Sequence, residues 1–271
     1  MIIVAGGCSF IWGTELSDCR HHGDNGYSRL TWAANLAKIQ NASYDCVASA
    51  GSGNTIIARN IINFCEKNKD AFPIVQWTWP YRFDFKVINT NNNGWETLGP
   101  WQADVEYRPG EELEESDSLF NYATQNTQKA KLTGVNTLAN TFFNYVGSSE
   151  YWPVYSTLKE IVFLQNYLKS KNIPYLFSCA DASSIFYNYT VEKENDTHIK
   201  NLVNQIDMEN WYFFPPGEKH NETKTPRGFY QWAVENKYDI APAGHPREQA
   251  HLDASKLMQE KFNELVTKHI Q

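Results

Sequence analysis

Short apolar runs that end in turn residues alternate with amphipathic helical patterns along this chain. The apolar runs cover residues 2–6, 44–48, 72–79, 173–179 and 211–214. Near-continuous apolar character of this length is typical of strands covered on both faces, as in a parallel sheet. The alternation therefore predicts an α/β fold, a three-layer α/β/α sandwich around a central parallel sheet of about five strands.

The helical patterns occupy residues 27–40, 54–68, 155–171 and 246–270. Two stretches do not fit the alternation. Residues 84–150 begin with many polar, Gly and Pro residues, and the segment is too long for an ordinary loop. We interpret it as an insertion in a single domain spanning 1–271, serving equally well as a lid or an assembly surface. Residues 180–227 form a second predicted excursion.

Composition and charge narrow the classes of function. The chain has 271 residues, 42% of them hydrophobic, and a formal net charge of −7. This acidic balance argues against nucleic-acid binding, which needs a basic surface. The five cysteines include no CxxC pair, which favours reduced thiols over a zinc site or a disulfide framework. No apolar run is long enough to cross a membrane. The first strand begins at residue 2, so we expect cytoplasmic synthesis without a signal peptide.

Three short islands fall where predicted strands end. They are "GGCSF" with Ser9, "ASAGSGN" with Gly51 and Asn54, and "APAGHP" with His245. The carboxyl ends of parallel strands share one edge of the sheet, where α/β proteins bind ligands. A serine hydroxyl becomes nucleophilic when an imidazole accepts its proton, and glycines allow a substrate oxyanion to approach backbone N–H groups. The islands predict a serine nucleophile at this edge.

The ordered set resembles the SGNH (GDSL-like) hydrolase superfamily over almost the whole chain. "GCSFIWG" is similar to block I, which implies that Ser9 is the nucleophile. "SAGSGN" resembles block II and implies that Gly51 is an oxyanion donor. "GHP" resembles block V and implies that His245 is the base. The polar loops and the block pattern look similar to SGNH-like proteins encoded by phages. The resemblance implies the flavodoxin-like SGNH fold. It also implies a reaction that requires no cofactor or metal.

The chain departs from the family pattern in two blocks. In block III, "QWTW" replaces Gly-x-Asn-Asp, so Gln76 or Thr78 would have to supply the missing oxyanion donor. In block V, Pro242, Ala243 and Gly244 stand where members carry an aspartate before the histidine. Asp239 and Glu248 are the alternative carboxylates that could support His245. A Ser–His dyad without an acid is another alternative.

Other residues carry weaker signals. Asn54 is expected to cap the helix starting near Thr55 and to touch the site. Trp77 and Arg82 are candidates for binding substrate, through ring stacking on a sugar and pairing with a carboxylate. The alternative is that these residues pack under the insertion. His251 is interpreted as a packing residue, and the pair His21-His22 as a loop rather than a metal site.

Two classes of function follow from these residues. The first is a serine esterase that uses Ser9 and His245 on a small-molecule or carbohydrate ester, with O-acetyl groups as the leading candidate. The alternative is a catalytically degenerate SGNH scaffold for binding or assembly, with protein partners bound through 84–150 and a virion-associated role. Hydrogen bonding between Ser9 and His245 would favour the enzyme.

Overall fold

The computed structural model describes residues 1–19, 26–86, 94–102, 137–147, 151–182, 185–186, 196–217 and 226–270. The chain divides into two compact units. The first comprises Met1–Pro80 and Val154–Gln271, and the second is Tyr81–Pro153. The predicted insertion at about 84–150 falls within the second unit.

Among its described residues, the first unit is built on a parallel sheet of four strands, β1 (Ile2–Gly6), β2 (Ser43–Cys46), β3 (Ala71–Trp77) and β6 (Leu176–Cys179). Their order is β2-β1-β3-β6, so the long central strands β1 and β3 pair along their lengths. The prediction of about five strands was one too many. The apolar run 211–214 reaches the β6 edge through a single parallel bridge between Trp211 and Phe177, which is too little pairing for a strand.

Seven helices are described in full. They are α1 (Ser9–Trp12), α2 (Trp32–Ile39), α3 (Asn54–Lys67), α4 (Tyr151–Ser170), α5 (Thr197–Asn204), α6 (Phe229–Glu235) and α7 (Glu248–Ile270). Short 3₁₀ turns lie at Pro100–Gln102 and Met208–Asn210.

Helices cover both faces of the four-stranded sheet. On one face, Ile3 of β1 and Ile74 of β3 share a core with residues of α2, α6 and α7. On the other face, Val4 and Val75 share a second core with residues of α3 and α4. Alternate residues of a strand point to opposite faces, so each central strand supplies both cores. This arrangement confirms the predicted three-layer α/β/α sandwich.

The second unit contains an antiparallel pair, β4 (Phe83–Lys86) with β5 (Trp95–Leu98). The ring of Phe83 stacks on Phe142 at a centroid distance of 4.4 Å and meets Trp152 edge-on at 5.6 Å. A helix at 137–142 continues into a π-helix at Phe143–Gly147.

Several predictions fall outside the described residues. His21 and His22 lie there, as do much of 84–150 and part of the excursion at 180–227. In the parts of the chain that the structure describes, no helix has the length and apolar character needed to span a membrane.

Candidate active site at the carboxyl edge of the sheet

Ser9 begins a one-turn helix directly after β1. The turn is tight, because a Cβ on Gly7 would lie only 2.6 Å from Ile11 Cγ1. The Ile11 and Trp12 N–H groups both donate to the Cys8 carbonyl, which closes the first helical turn. Ser9 itself is partly exposed, while Cys8 and Phe10 on either side are buried. The sequence therefore places a hydroxyl at the sheet edge with apolar anchors around it.

His245 directly follows the three-residue loop of a hairpin that precedes α7. Ile240 and Pro246 form an antiparallel bridge. The Ala241 N–H donates to the His245 carbonyl and the Gly244 N–H to the Ala241 carbonyl, both at 2.8 Å. Gly244 has a φ of 89°, a left-handed value that closes such three-residue loops and favours glycine. "PAG" is therefore a turn signal that fixes the backbone of His245.

The imidazole of His245 binds a carboxylate that the sequence analysis did not consider. Its Nδ1 lies 2.7 Å from Oε2 of Glu15, and the two side chains are 11% and 22% exposed. The Ala243 N–H points at both oxygens of the same carboxylate, at 3.2 Å each. Arg247 donates from Nη1 to the Glu15 carbonyl oxygen at 2.7 Å. The hairpin and the start of α7 thus surround Glu15.

Glu15 lies in the turn that follows α1. Gly13 ends this helix with a φ of 81°, and its N–H donates to the Ser9 carbonyl. Glu15 itself has a φ of 67°, and the Leu16 N–H closes the turn on the Gly13 carbonyl. The local signal for Glu15 in the sequence was a carboxylate shortly after Ser9 in "GCSFIWGTEL".

The two carboxylates considered from the sequence have other partners. Asp239 is 83% exposed at its side chain and lies 3.9 Å from Nε of Arg247. Glu248 accepts a hydrogen bond from the Ser17 N–H at 2.7 Å. Burial is the largest single influence on the pKa of Glu248 and raises it. Hydrogen bonds from the α7 backbone and from Ser17 together outweigh burial, so the pKa is lowered overall.

Phe10 brings Ser9 and His245 to the same place in the fold. The Phe10 and His245 rings meet edge to face, with centroids 5.3 Å apart. Among the hydrogen bonds of the described residues, none joins Ser9 Oγ to His245. Catalytic hydrogen bonds are often long in the absence of substrate. The structure therefore brings the two sequence-predicted residues into one neighbourhood without the direct contact.

Gly51 lies in a tight turn between β2 and α3. The Ser52 N–H closes this turn on the Ser49 carbonyl at 3.2 Å, and Gly51 has a φ of 81°. A Cβ at Gly51 would meet no atom within 4 Å, so one side of its Cα faces open space. Among the described residues the Gly51 N–H has no hydrogen-bond acceptor. These features suit a donor that a substrate approaches closely, which stays a prediction for Gly51.

Asn54 links α3 to the end of β3 and to α4. Its Nδ2 donates to the Thr78 carbonyl at 3.2 Å and to Thr157 Oγ1 at 3.0 Å, while its Oδ1 accepts from the Thr78 N–H at 2.9 Å. The helix N-cap is Gly53, so Asn54 is the first helical residue rather than the cap. With both amide protons engaged, Asn54 holds the framework, and its contact with the site stays a prediction.

Gln76, Trp77 and Thr78 stand in place of the family's block III. Gln76 and Thr78 are fully buried, and neither side chain has a hydrogen-bond partner within the described ranges. Trp77 is also fully buried and meets Phe177 edge to face at 5.4 Å in the core under α3 and α4. This packing favours the alternative of a core residue, and the role of Trp77 in substrate binding stays a prediction. Thr78 and Gln76 stay candidate donors.

An aromatic group borders Ser9 and His245. The Phe10 ring stacks on Tyr230 at 5.8 Å and meets Trp79 edge-on at 5.4 Å. Trp79 and Tyr230 are only partly buried. Tyr230 lies on α6, and its role was not visible from the sequence. Arg82 belongs to the second unit and is partly buried, so its binding of substrate stays a prediction.

His251 is a core residue, which confirms its interpretation as a packing residue. It is 1% exposed, and its Nδ1 accepts a hydrogen bond from the Trp32 N–H at 3.1 Å. Burial lowers the pKa of His251 to about 3. Burial also raises the pKa of the Cys46 thiol to about 12. Over the described residues, no group of three or more His, Cys, Asp or Glu side chains is placed to hold a metal ion.

No protein-family model matches the sequence, and no curated protein matches it. Among solved structures, the chain is similar to the psychrotrophic esterase EstA from Pseudoalteromonas sp., with 9% identity, a TM-score of 0.45, and coverage of 99% of this chain and 98% of the esterase. It is also similar to a carbohydrate esterase family 2 enzyme from Corynascus thermopiles (Myceliophthora fergusii), with 11% identity, a TM-score of 0.45, and coverage of 98% and 66%. Phospholipase A1 from Streptomyces albidoflavus NA297 matches with 11% identity, a TM-score of 0.37, and coverage of 97% and 98%. Likenesses at this level of identity and TM-score assign no activity to this chain.

Proposed function

We propose that this protein is a serine hydrolase that cleaves esters with Ser9 as nucleophile and His245 as general base. The observation that carries the proposal is the state of the imidazole. Nδ1 of His245 is held by a carboxylate at 2.7 Å, so Nε2 is the nitrogen left to accept a proton. Ser9 supplies a hydroxyl in the same neighbourhood, next to the Phe10 ring that His245 contacts.

In the proposed reaction, Ser9 Oγ attacks the acyl carbon while Nε2 of His245 takes the hydroxyl proton. The tetrahedral oxyanion accepts hydrogen bonds from the Ser9 and Gly51 N–H groups, with Thr78 or Gln76 as a further donor. The ester bond then breaks, and His245 returns its proton to the alcohol oxygen that leaves. Water attacks the acyl-enzyme, again losing a proton to His245, and the free acid leaves as Ser9 regains its hydrogen.

The aromatic group at the site supports a carbohydrate ester as the substrate class. Trp79 and Tyr230 are partly exposed rings beside the residues assigned to the reaction. Flat apolar rings with a polar edge suit contact with the face of a sugar ring. Within this class, an O-acetyl ester is proposed as the leading candidate.

A non-catalytic descendant of the same fold is the second candidate. It is favoured by the missing hydrogen bond between Ser9 and His245 and by the buried Gln76 and Thr78 in place of a site amide. In that role the scaffold would bind or assemble with other proteins, and a virion-associated setting is part of this alternative.

Hydrolysis of p-nitrophenyl acetate and of an O-acetylated oligosaccharide separates the two candidates. Wild type, Ser9→Ala and His245→Ala are compared with two control variants at exposed positions, Ser17→Ala and His198→Asn. The esterase proposal requires activity that both site variants abolish and both controls keep. Covalent labelling of Ser9 by a fluorophosphonate, located by mass spectrometry, provides a second readout. Equal background rates in all five proteins would reject the esterase in favour of the scaffold.

A further inference from the structure

We infer that Glu15 is the acid that positions His245, so that Ser9, His245 and Glu15 form a triad. This inference rests on the proposed function. In the family that the sequence resembles, the acid stands just before the histidine, whereas here it would come from the turn after the nucleophile. One short segment, 9–15, would then supply both the nucleophile and the acid, and only the base would come from the far end of the chain.

The contact has the geometry that this role requires. The separation of 2.7 Å between Nδ1 and Oε2 lies in the range of charge-assisted hydrogen bonds. A carboxylate on Nδ1 fixes the proton there, keeps Nε2 free as an acceptor, and stabilises the imidazolium that forms during the reaction. Both side chains are mostly buried, which limits screening by water.

Glu15 is itself held by partners that leave it little freedom. The Ala243 N–H donates to its carboxylate, and Arg247 donates to its carbonyl oxygen. Its φ of 67° is an uncommon value for a residue with a Cβ, and such conformations cluster at functional sites. The surrounding bonds keep this backbone in place and therefore aim the carboxylate at Nδ1.

The hairpin places no acidic residue directly before His245. Pro242, Ala243 and Gly244 form the loop, and the family's aspartate would have to fit among them. The Ala243 N–H faces a carboxylate that comes from outside the hairpin. The loop therefore no longer carries an acid and instead helps to bind one. Asp239 is largely exposed and Glu248 is bonded to Ser17, so neither takes this place.

Two substitutions at Glu15 test the assignment. Glu15→Gln keeps the size of the side chain. Its carbonyl would accept from the Ala243 N–H, so its NH₂ group would donate to Nδ1 and force the imidazole proton onto Nε2. Loss of tautomer control of this kind costs about 10⁴-fold in a well-studied triad. We therefore expect kcat to fall by about 10³–10⁴-fold in Glu15→Gln. Glu15→Asp keeps a carboxylate to hold the Nδ1 proton and should retain at least about ten times the activity of the Gln variant.

The split between kcat and KM and an NMR signal separate positioning from a purely structural role. Arg247 donates to the Glu15 carbonyl and lies 3.9 Å from Asp239, and Glu248 is bonded to Ser17. Among the described residues, Glu15 is the carboxylate in contact with the imidazole. Glu15→Gln removes the group that stabilises the imidazolium formed during the reaction, so the loss should appear in kcat rather than in KM. The low-field Nδ1 proton of His245 in ¹H NMR should be lost in that variant.

Asp239→Asn and Glu248→Gln serve as controls that remove the other nearby carboxylates. Both should keep the low-field proton and the wild-type kcat. If Ser9→Ala and His245→Ala lose activity but Glu15→Gln does not, or if Gln and Asp behave alike, the acid assignment is overturned while the esterase stands. If Ser9→Ala is as active as wild type, the esterase proposal fails, and the NMR comparison still decides whether Glu15 holds His245.

Discussion

Acid sensitivity should depend strongly on one buried residue, His251. This side chain is fully enclosed between α7, α2 and α6, where its ring lies 4.7 Å from that of Phe229. Its Nδ1 accepts the N–H of Trp32, the first residue of α2, which would otherwise lack a partner within its helix. Burial is the largest cause of the low pKa of about 3. The folded protein therefore holds His251 neutral.

The sign of the effect follows from the two protonation states. In the unfolded chain His251 titrates at its ordinary value of 6.5, and in the folded chain at about 3. Between these values the unfolded state binds more protons, so the free energy of unfolding falls as the pH falls from 6.5 towards 3. One group contributes a slope of up to about 1.4 kcal/mol per pH unit, or at most about 5 kcal/mol across the interval.

His251→Asn tests this reasoning, since its Oδ1 can still accept from the Trp32 N–H but does not titrate. At pH 8 the variant should be less stable by about 1–3 kcal/mol because a smaller side chain leaves a cavity. Its disadvantage should shrink as the pH falls and vanish near pH 5. Urea unfolding followed by tryptophan fluorescence at several pH values gives the slopes. The exposed His198→Asn is the control. An unchanged slope between pH 6.5 and 4.5 in His251→Asn would refute the argument.

Two more substitutions probe the edge of the sheet. Gly51→Ala should lower kcat/KM on p-nitrophenyl acetate by about 10-fold or more, because the new methyl group enters the open space beside the proposed oxyanion donor. It should also cost about 1–2 kcal/mol in urea unfolding, since φ is 81°. An active Gly51→Ala would remove Gly51 from the site. Gln76→Leu should raise the free energy of unfolding by about 1–2 kcal/mol, because it replaces a buried amide that has no partner among the described residues. A loss of stability would mean that the amide is satisfied in solution.

The parallel sheet was predictable because β1 and β3 are buried along their lengths, and such strands show continuous apolar runs. The same property hides which way a side chain points. In "FPIVQWTW" both faces are apolar, so nothing in the pattern separated Trp77, in the α3–α4 core, from Gln76 on the opposite face. The run at Trp211–Phe214 has the composition of a strand, but it pairs with β6 at one position only.

The candidate residues were proposed where backbone signals accompany them. Gly51 has a left-handed φ within its own turn, and His245 directly follows Gly244, which also has one. Turn signals of that kind can be recognised in the local sequence. Glu15 had no such marker. Its contact with His245 spans 230 residues, and sequence spacing says nothing about pairs so far apart. Asn54 was predicted to cap its helix, but Gly53 is the N-cap, and the Asn54 amide instead bonds to Thr78 and Thr157.

The site joins the two ends of the first unit. Four contacts connect residues 15–17 with 243–248: the imidazole and the Ala243 N–H bind the Glu15 carboxylate, Arg247 binds its carbonyl, and Glu248 binds the Ser17 N–H. The packing of α7 against α2 joins the same two regions of the chain. The position of the proposed base therefore depends on the packing of the first unit around it. The cost of closing so long a loop is met by the α2–α7 core, which leaves the turn and the hairpin the smaller task of aiming the side chains.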